Sequence, residues 1–144
     1  FIAIVIRSLG LMAADSVTIA DVDPGKWYYD VIAAAYSNGL VSGDTNGLFR
    51  PEDSITRQEA MAIVCRAMAL ADLDTAITDG EVTTALSAFY DADKLESWAK
   101  NSAAVVIKNG IITGSNGALR PTAKISRAET AVMIRQLLEK ADLI

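Results

Sequence analysis

Apolar residues recur along the chain at the three-and-four spacing of helices, in stretches broken by glycine, proline and asparagine. Residues 1–11 carry the first stretch and read as the end of a core helix. Asp23-Pro24 offers an N-cap followed by proline at the first helical position. Val31, Ala34 and Ala35, with Trp27, mark an apolar face, and Asn38-Gly39 supplies the left-handed stop, so the pattern predicts a helix over 24–38. Residues 40–47 are too rich in glycine and turn formers to extend it. The chain turns back there, with Phe49 offering a ring to bury and Pro51 fixing the backbone. Thr56-Arg57-Gln58-Glu59 and Ser126-Arg127-Ala128-Glu129 are capping boxes, in which the hydroxyl accepts from the third helical amide and the glutamate reaches back to the cap amide. Losing such a hydroxyl costs about 1 kcal/mol. The helices they open bury Ala60, Ile63, Val64, Ala67 and Met68 in one case and Thr130, Met133, Ile134, Leu137 and Leu138 in the other.

These elements are one unit written twice. Asp21, Trp27, Gly39, Gly43, Phe49-Arg50-Pro51 and Ile55-Thr56-Arg57-Gln58-Glu59 recur in order as Asp91, Trp98, Gly110, Gly114, Leu119-Arg120-Pro121 and Ile125-Ser126-Arg127-Ala128-Glu129. Ala3, Ile4, Val5, Arg7 and Leu11 also match Ala62, Ile63, Val64, Arg66 and Leu70, so the start of the sequence reads as the last helix of a further, truncated copy. A fixed-period repeat implies supersecondary units that bury their apolar faces against neighbours. The expected organisation is 1–14 as the end of one repeat, 15–73 as a second, 74–88 as a linker with a short helix around 81–86, and 89–144 as a third.

With 51% apolar and 22% charged residues the chain can build a core of ordinary domain size. Its net charge of -5 argues against nucleic acid, and an anionic ligand would have to be held locally. The longest apolar run, 1–6, is far short of the roughly 20 residues that span a bilayer. Cys65 is the single cysteine and reads as a plain helix residue. Histidine is absent, which excludes Ser/His/Asp and Cys/His nucleophiles and imidazole-ligated zinc. The carboxylate pairs Asp72/Asp74 and Asp91/Asp93 read as turn residues rather than glycosidase acids, so no enzyme and no cofactor is expected. Asp44-Thr45-Asn46-Gly47 begins like a calcium loop, but Ile55 stands where the bidentate carboxylate is needed and Ser115 replaces the first acid in the later copy.

The chemistry of the capping box lies in its second residue. Arg57 and Arg127 occupy the first helical position, where the dipole disfavours a cation. Two readings stand open: each arginine pairs with a protein carboxylate, or guanidinium and helix-start amides together bind an external anion. Trp27 and Trp98 are either core rings or groove walls, Asp21 and Asp91 either cap turns or face a ligand, and Gly43 and Gly114 serve a turn with positive φ or let a ligand approach.

The joint occurrence of these motifs, twice in register, resembles the S-layer homology repeat, over 19–70, 89–138 and 1–11. The resemblance implies an all-α fold of tandem helix-loop-helix repeats in a pseudo-threefold arrangement around a central three-helix bundle. It also implies a non-catalytic module that tethers a secreted or S-layer polypeptide to the bacterial wall by binding secondary cell-wall polysaccharide, typically through an acidic pyruvate ketal. Carried over by motif, the anion contact falls on Arg57 and Arg127, with Asp21, Asp91, Trp27, Trp98, Gly43 and Gly114 as groove residues. The cargo would lie elsewhere in the polypeptide. The copies depart from each other in places: Ile19 stands where the later copy has Phe89, Leu119 replaces Phe49, and the later glycine turn is one residue shorter. The alternative is a structural or protein-interaction array. An anchor requires the arginines to face solvent, whereas an array would consume them in internal salt bridges and expose an apolar patch.

Overall fold

The computed structural model describes residues 1–13 and 17–144. The repeat boundary expected between 14 and 15 lies outside the described residues. Among the described residues all regular structure is helical, and strand-like pairing is limited to the isolated bridges Thr56/Lys124 and Ser115/Ala118. The chain forms two compact units, 1–54 and 55–144.

In the first unit, α1 (Ile2–Ser8) packs on α2 (Tyr29–Ser37). Val5 and Ile6 of α1 and Ile32 to Ala35 of α2 are buried. Helix α2 starts at Tyr29, later than the proline pattern predicts. The Asp23 carboxylate accepts the Gly25 N–H at 2.8 Å instead of capping a helix, and two further turns, Lys26 N–H to Asp23 O and Tyr29 N–H to Lys26 O, both 3.1 Å, carry the chain to Tyr28. An Asx turn has outcompeted the helix at a Pro-Gly step. The C-terminal stop is as expected: Gly39 has φ +70°, and the Leu40 N–H returns to Ala35 O.

The same place under the glycine turn is filled differently in the two copies. A Cβ on Gly114 would lie 2.5 Å from the Phe89 ring, and one on Gly43 would lie 2.6 Å from the Tyr36 hydroxyl. Where the repeat start carries Ile19 instead of phenylalanine, α2 supplies Tyr36, whose ring also lies 6.2 Å from that of Phe49. The cost is a Tyr36 hydroxyl that is buried with no hydrogen-bond partner among the described residues.

The second unit holds α3 (Arg57–Leu70), α4 (Asp79–Ser87), 3-10 turns at Ala92–Lys94 and Ser97–Ala99, α5 (Lys100–Lys108) and α6 (Arg127–Lys140). Helix α3 is buried on most of its circumference, from Ala60, Met61 and Ala62 through Val64 to Met68, and it packs on α5 and α6. By sequence α3 closes the earlier copy, yet it packs within the same unit as the whole later one. Both capping boxes form, with Thr56 and Ser126 accepting from Glu59 and Glu129 amides. A third box, Thr78 with Glu81, opens α4 and was not read from the sequence. Helix α4 packs along α5, where Lys108 Nζ meets Glu81 at 2.9 Å and Asn109 donates to Asp74 O. The segment expected as a linker is thus held to the later repeat.

The Lys108 contact, with the Thr78 amide and hydroxyl, pulls the Glu81 carboxyl from 4.5 to about 2. A carboxyl depressed on folding contributes stability above its unfolded value and loses it as pH falls through the folded one. Glu81→Gln is expected to melt below wild type at pH 7, with the gap closing between about pH 4.5 and 2; thermal unfolding followed by circular dichroism at both ends of that window checks it.

Candidate functional site

The motif arginines have opposite fates. Arg57 is 6% exposed; its Nε donates to Leu119 O at 2.6 Å and its Nη1 to Glu129 Oε1 at 2.7 Å. Burial works to lower the Arg57 pKa, the Glu129 charge works against that, and a guanidinium stays protonated throughout. The amides that would accompany it in an anion site are also engaged. Arg57 N–H donates to Ala123 O and Gln58 N–H to Pro121 O, both at 2.9 Å, beside the backbone pairing of Thr56 with Lys124. At this helix start the protein is its own ligand.

Arg127 opens α6 from an equivalent capping box but is exposed, and among the described residues its side chain has no ion pair. The Ser126 hydroxyl takes the Glu129 N–H at 3.2 Å, while the N–H groups of Arg127 and Ala128 have no protein acceptor among the described residues. Two outward amides and a free guanidinium at the positive end of a 14-residue helix form an anion-binding geometry.

The repeat-start aspartates hold the loops in place. Asp21 accepts from Phe49 N–H at 2.9 Å and Arg50 N–H at 2.6 Å; Asp91, 4% exposed, accepts from Leu119 and Arg120 N–H, both at 2.8 Å. The Phe49 amide, ahead of the Arg50 one, draws the Asp21 carboxyl below its usual value. At Asp91 burial pushes upward, and the Leu119 and Arg120 amides more than offset it. Each clamp holds an arginine in the left-handed region immediately before proline, with φ +55° at Arg50 and +51° at Arg120. The glycines at 43 and 114 are required by their positive φ and by the aromatic groups against them.

Both tryptophans lie at the surface, and neither is a core ring. Trp27 is 73% exposed and stands edge-on to Tyr28 at 5.6 Å. Trp98 is 50% exposed, and its indole N–H donates to Glu96 at 2.8 Å. Glu96 in turn exchanges two hydrogen bonds with the buried Gln58 amide, at 3.0 and 3.1 Å. Within the second unit, then, Asp91 and Arg57 meet through the two ends of the Leu119 peptide, and Trp98 is tied through Glu96 to the residue after Arg57. Sequence reasoning missed Gln58, Glu96 and Arg120, and took Glu129 only as a cap. A repeated arginine inside Phe/Leu-Arg-Pro was the available signal for Arg120. Among the described residues no cluster of acids and cysteine suits a metal ion. Cys65 is half-buried, and burial pushes its thiol upward.

The family model for the S-layer homology domain matches residues 18–61 and 88–131, the two stretches that contain the aspartate clamps and capping boxes. The chain belongs to the S-layer homology domain family. It is 36% identical over 140 residues to a surface-layer 125 kDa protein of Lysinibacillus sphaericus, covering 94% of this chain and 11% of that protein. It is 36% identical over 143 residues to an amylopullulanase of Thermoanaerobacterium thermosulfurigenes, covering 98% of this chain and 7% of the enzyme. Likewise, it is 35% identical over 144 residues to exoglucanase XynX of Acetivibrio thermocellus, covering 99% and 13%. The chain spans about a tenth of the length of these relatives. One segment shared by a surface-layer protein and by enzymes of different names is not the part that distinguishes their activities. Among the described residues no helix is long and apolar enough to cross a membrane.

Replacing Arg57 leaves the buried Leu119 carbonyl without its side-chain donor and removes one of the two guanidinium partners of Glu129, which keeps Arg120. Arg57→Ala is therefore expected to cost about 2 kcal/mol of folding stability, whereas Arg127→Ala stays within about 0.5 kcal/mol of wild type; urea unfolding of both variants checks the contrast.

Proposed function

We propose that the chain is a non-catalytic anchoring module at the bacterial cell surface, which tethers the polypeptide that carries it by binding secondary cell-wall polysaccharide through an acidic, pyruvylated sugar. Family membership and the presence of the same segment in a surface-layer protein and in glycan-degrading enzymes support the anchoring role. The observation that carries the site assignment is the α6 start, where Arg127 and two helix amides have no protein acceptor among the described residues. A carboxylate placed there would take both N–H groups and the planar guanidinium fork. The half-exposed indole of Trp98 offers an apolar face to a sugar ring in the same unit, and Trp27 does so in the other. In this reading Arg57 acts structurally, and Asp21, Asp91, Gly43 and Gly114 shape the loops rather than touch the ligand. The pseudo-threefold bundle of helices following the capping boxes belongs to the same proposal.

A second reading, a protein-interaction array, is favoured by the internal pairing of Arg57 and by exposed apolar side chains on and after α6, namely Val132, Leu143 and Ile144. Calorimetric titration with purified wall polysaccharide, beside the same polymer stripped of pyruvate, separates the two. The anchor reading expects binding that disappears with the pyruvate, and a loss of about 1.5 to 3 kcal/mol in Arg127→Ala, the range for hydrogen bonds to a charged group. Equal or absent binding to the two polymers would turn the assignment to the second reading.

A further inference from the structure

We infer that the two motif loops are unequal, and that 120–129 concentrates the anion-binding capacity, with Arg120 and Lys124 binding anionic substituents of the glycan beside Arg127; the inference rests on the anchoring reading above. Residues 50–59 and 120–129 align without a gap. Glu52, Asp53 and Ser54 of the earlier loop become Thr122, Ala123 and Lys124 in the later one. The earlier segment sets Arg50 and Arg57 against Glu52, Asp53 and Glu59. The later segment sets Arg120, Lys124 and Arg127 against Glu129 alone, a net +2 against -1 in a chain of net charge -5.

Glu129 does not neutralise this excess. Its Oε2 takes the Ser126 N–H, and its Oε1 is shared between Arg57 Nη1 at 2.7 Å and Arg120 Nη2 at 2.6 Å. Arg120 is attached there by that one nitrogen; its side chain is 50% exposed, and Nε and Nη1 have no partner among the described residues. Lys124 is exposed and makes no ion pair among the described residues, while its backbone is fixed by the bridge to Thr56. Arg50, by contrast, lies 3.4 Å from Asp44 and 3.8 Å from Asp53. The Asp91 clamp fixes the backbone from which Arg120 projects, at φ +51°, so little ordering remains to be done when a ligand arrives. Three cations on one loop and helix start suit a glycan carrying more than one negative group, whether pyruvate ketals or phosphodiesters.

The test is titration of wild type, Arg120→Gln, Lys124→Gln and Arg50→Gln with native, depyruvylated and dephosphorylated wall polysaccharide, at low and high salt. Arg120→Gln and Lys124→Gln are each expected to weaken binding about tenfold at low salt, less at high salt because exposed charges are screened; Arg50→Gln is expected to bind as wild type. The polymer treatment that reproduces the loss identifies which substituent is held. Lys124→Gln leaves the Glu129 network intact, so a loss there reports contact with the ligand rather than folding. Unchanged affinity in both Arg120→Gln and Lys124→Gln, or an equal loss in Arg50→Gln, overturns this inference and leaves the anchor reading standing. Failure of wild type to bind any of the polymers overturns both.

Discussion

A guanidinium withdrawn from water must find acceptors inside the protein, and Arg57 finds two: the Leu119 carbonyl and the Glu129 carboxylate. Much of the second unit follows from that demand. The later loop must come close enough to α3 for its carbonyls to take the Arg57 and Gln58 amides. Leu119 must present its carbonyl to Arg57 while its N–H is held by Asp91 from behind. Glu129 must sit at the third position of α6 so that one oxygen closes the capping box and the other faces the arginine. A box that at α3 only finishes a helix here joins two helix starts through a charge.

Repetition of sequence has therefore not produced repetition of role. The physical difference is what each helix start is bonded to: the carbonyls of another loop at α3, and no protein acceptor among the described residues for the first two amides of α6. The same motif forms a structural joint in one setting and, in the other, leaves its arginine and first two amides without a protein acceptor among the described residues. Of the two alternatives that the sequence leaves open for this motif, internal pairing is the one seen at Arg57, while Arg127 makes no such pair among the described residues.

Local signals were the legible ones. Capping boxes, the glycine stop at Gly39 and the helical periodicity after Arg57 and Arg127 are decided within a few residues, and they appear where the pattern puts them. Legibility fell where two local options compete, as at Asp23, whose carboxylate closes a turn on Gly25 instead of capping a helix. It failed where the deciding partner lies far along the chain. Nothing near Arg57 reveals Glu129, and nothing near Asp91 reveals that its carboxylate would be spent on two amides 28 and 29 residues away. Trp27 and Trp98 could be placed on the first segment of each repeat, but burial is a property of the assembled chain, and both proved to be exposed.

The exchange of Phe89 for Ile19, answered by Tyr36 from α2, shows how such repeats can diverge without losing their turn. The two positions form one compensating pair: bulk lost at the repeat start is restored from the helix. A phenylalanine at position 19, as at Phe89 in the later copy, would bring a second ring toward the place Tyr36 already takes, and removing Tyr36 would take away the group that lies against Gly43. Position 19 and position 36 are thus coupled, and a change at the repeat start is felt through the first helix of the same copy.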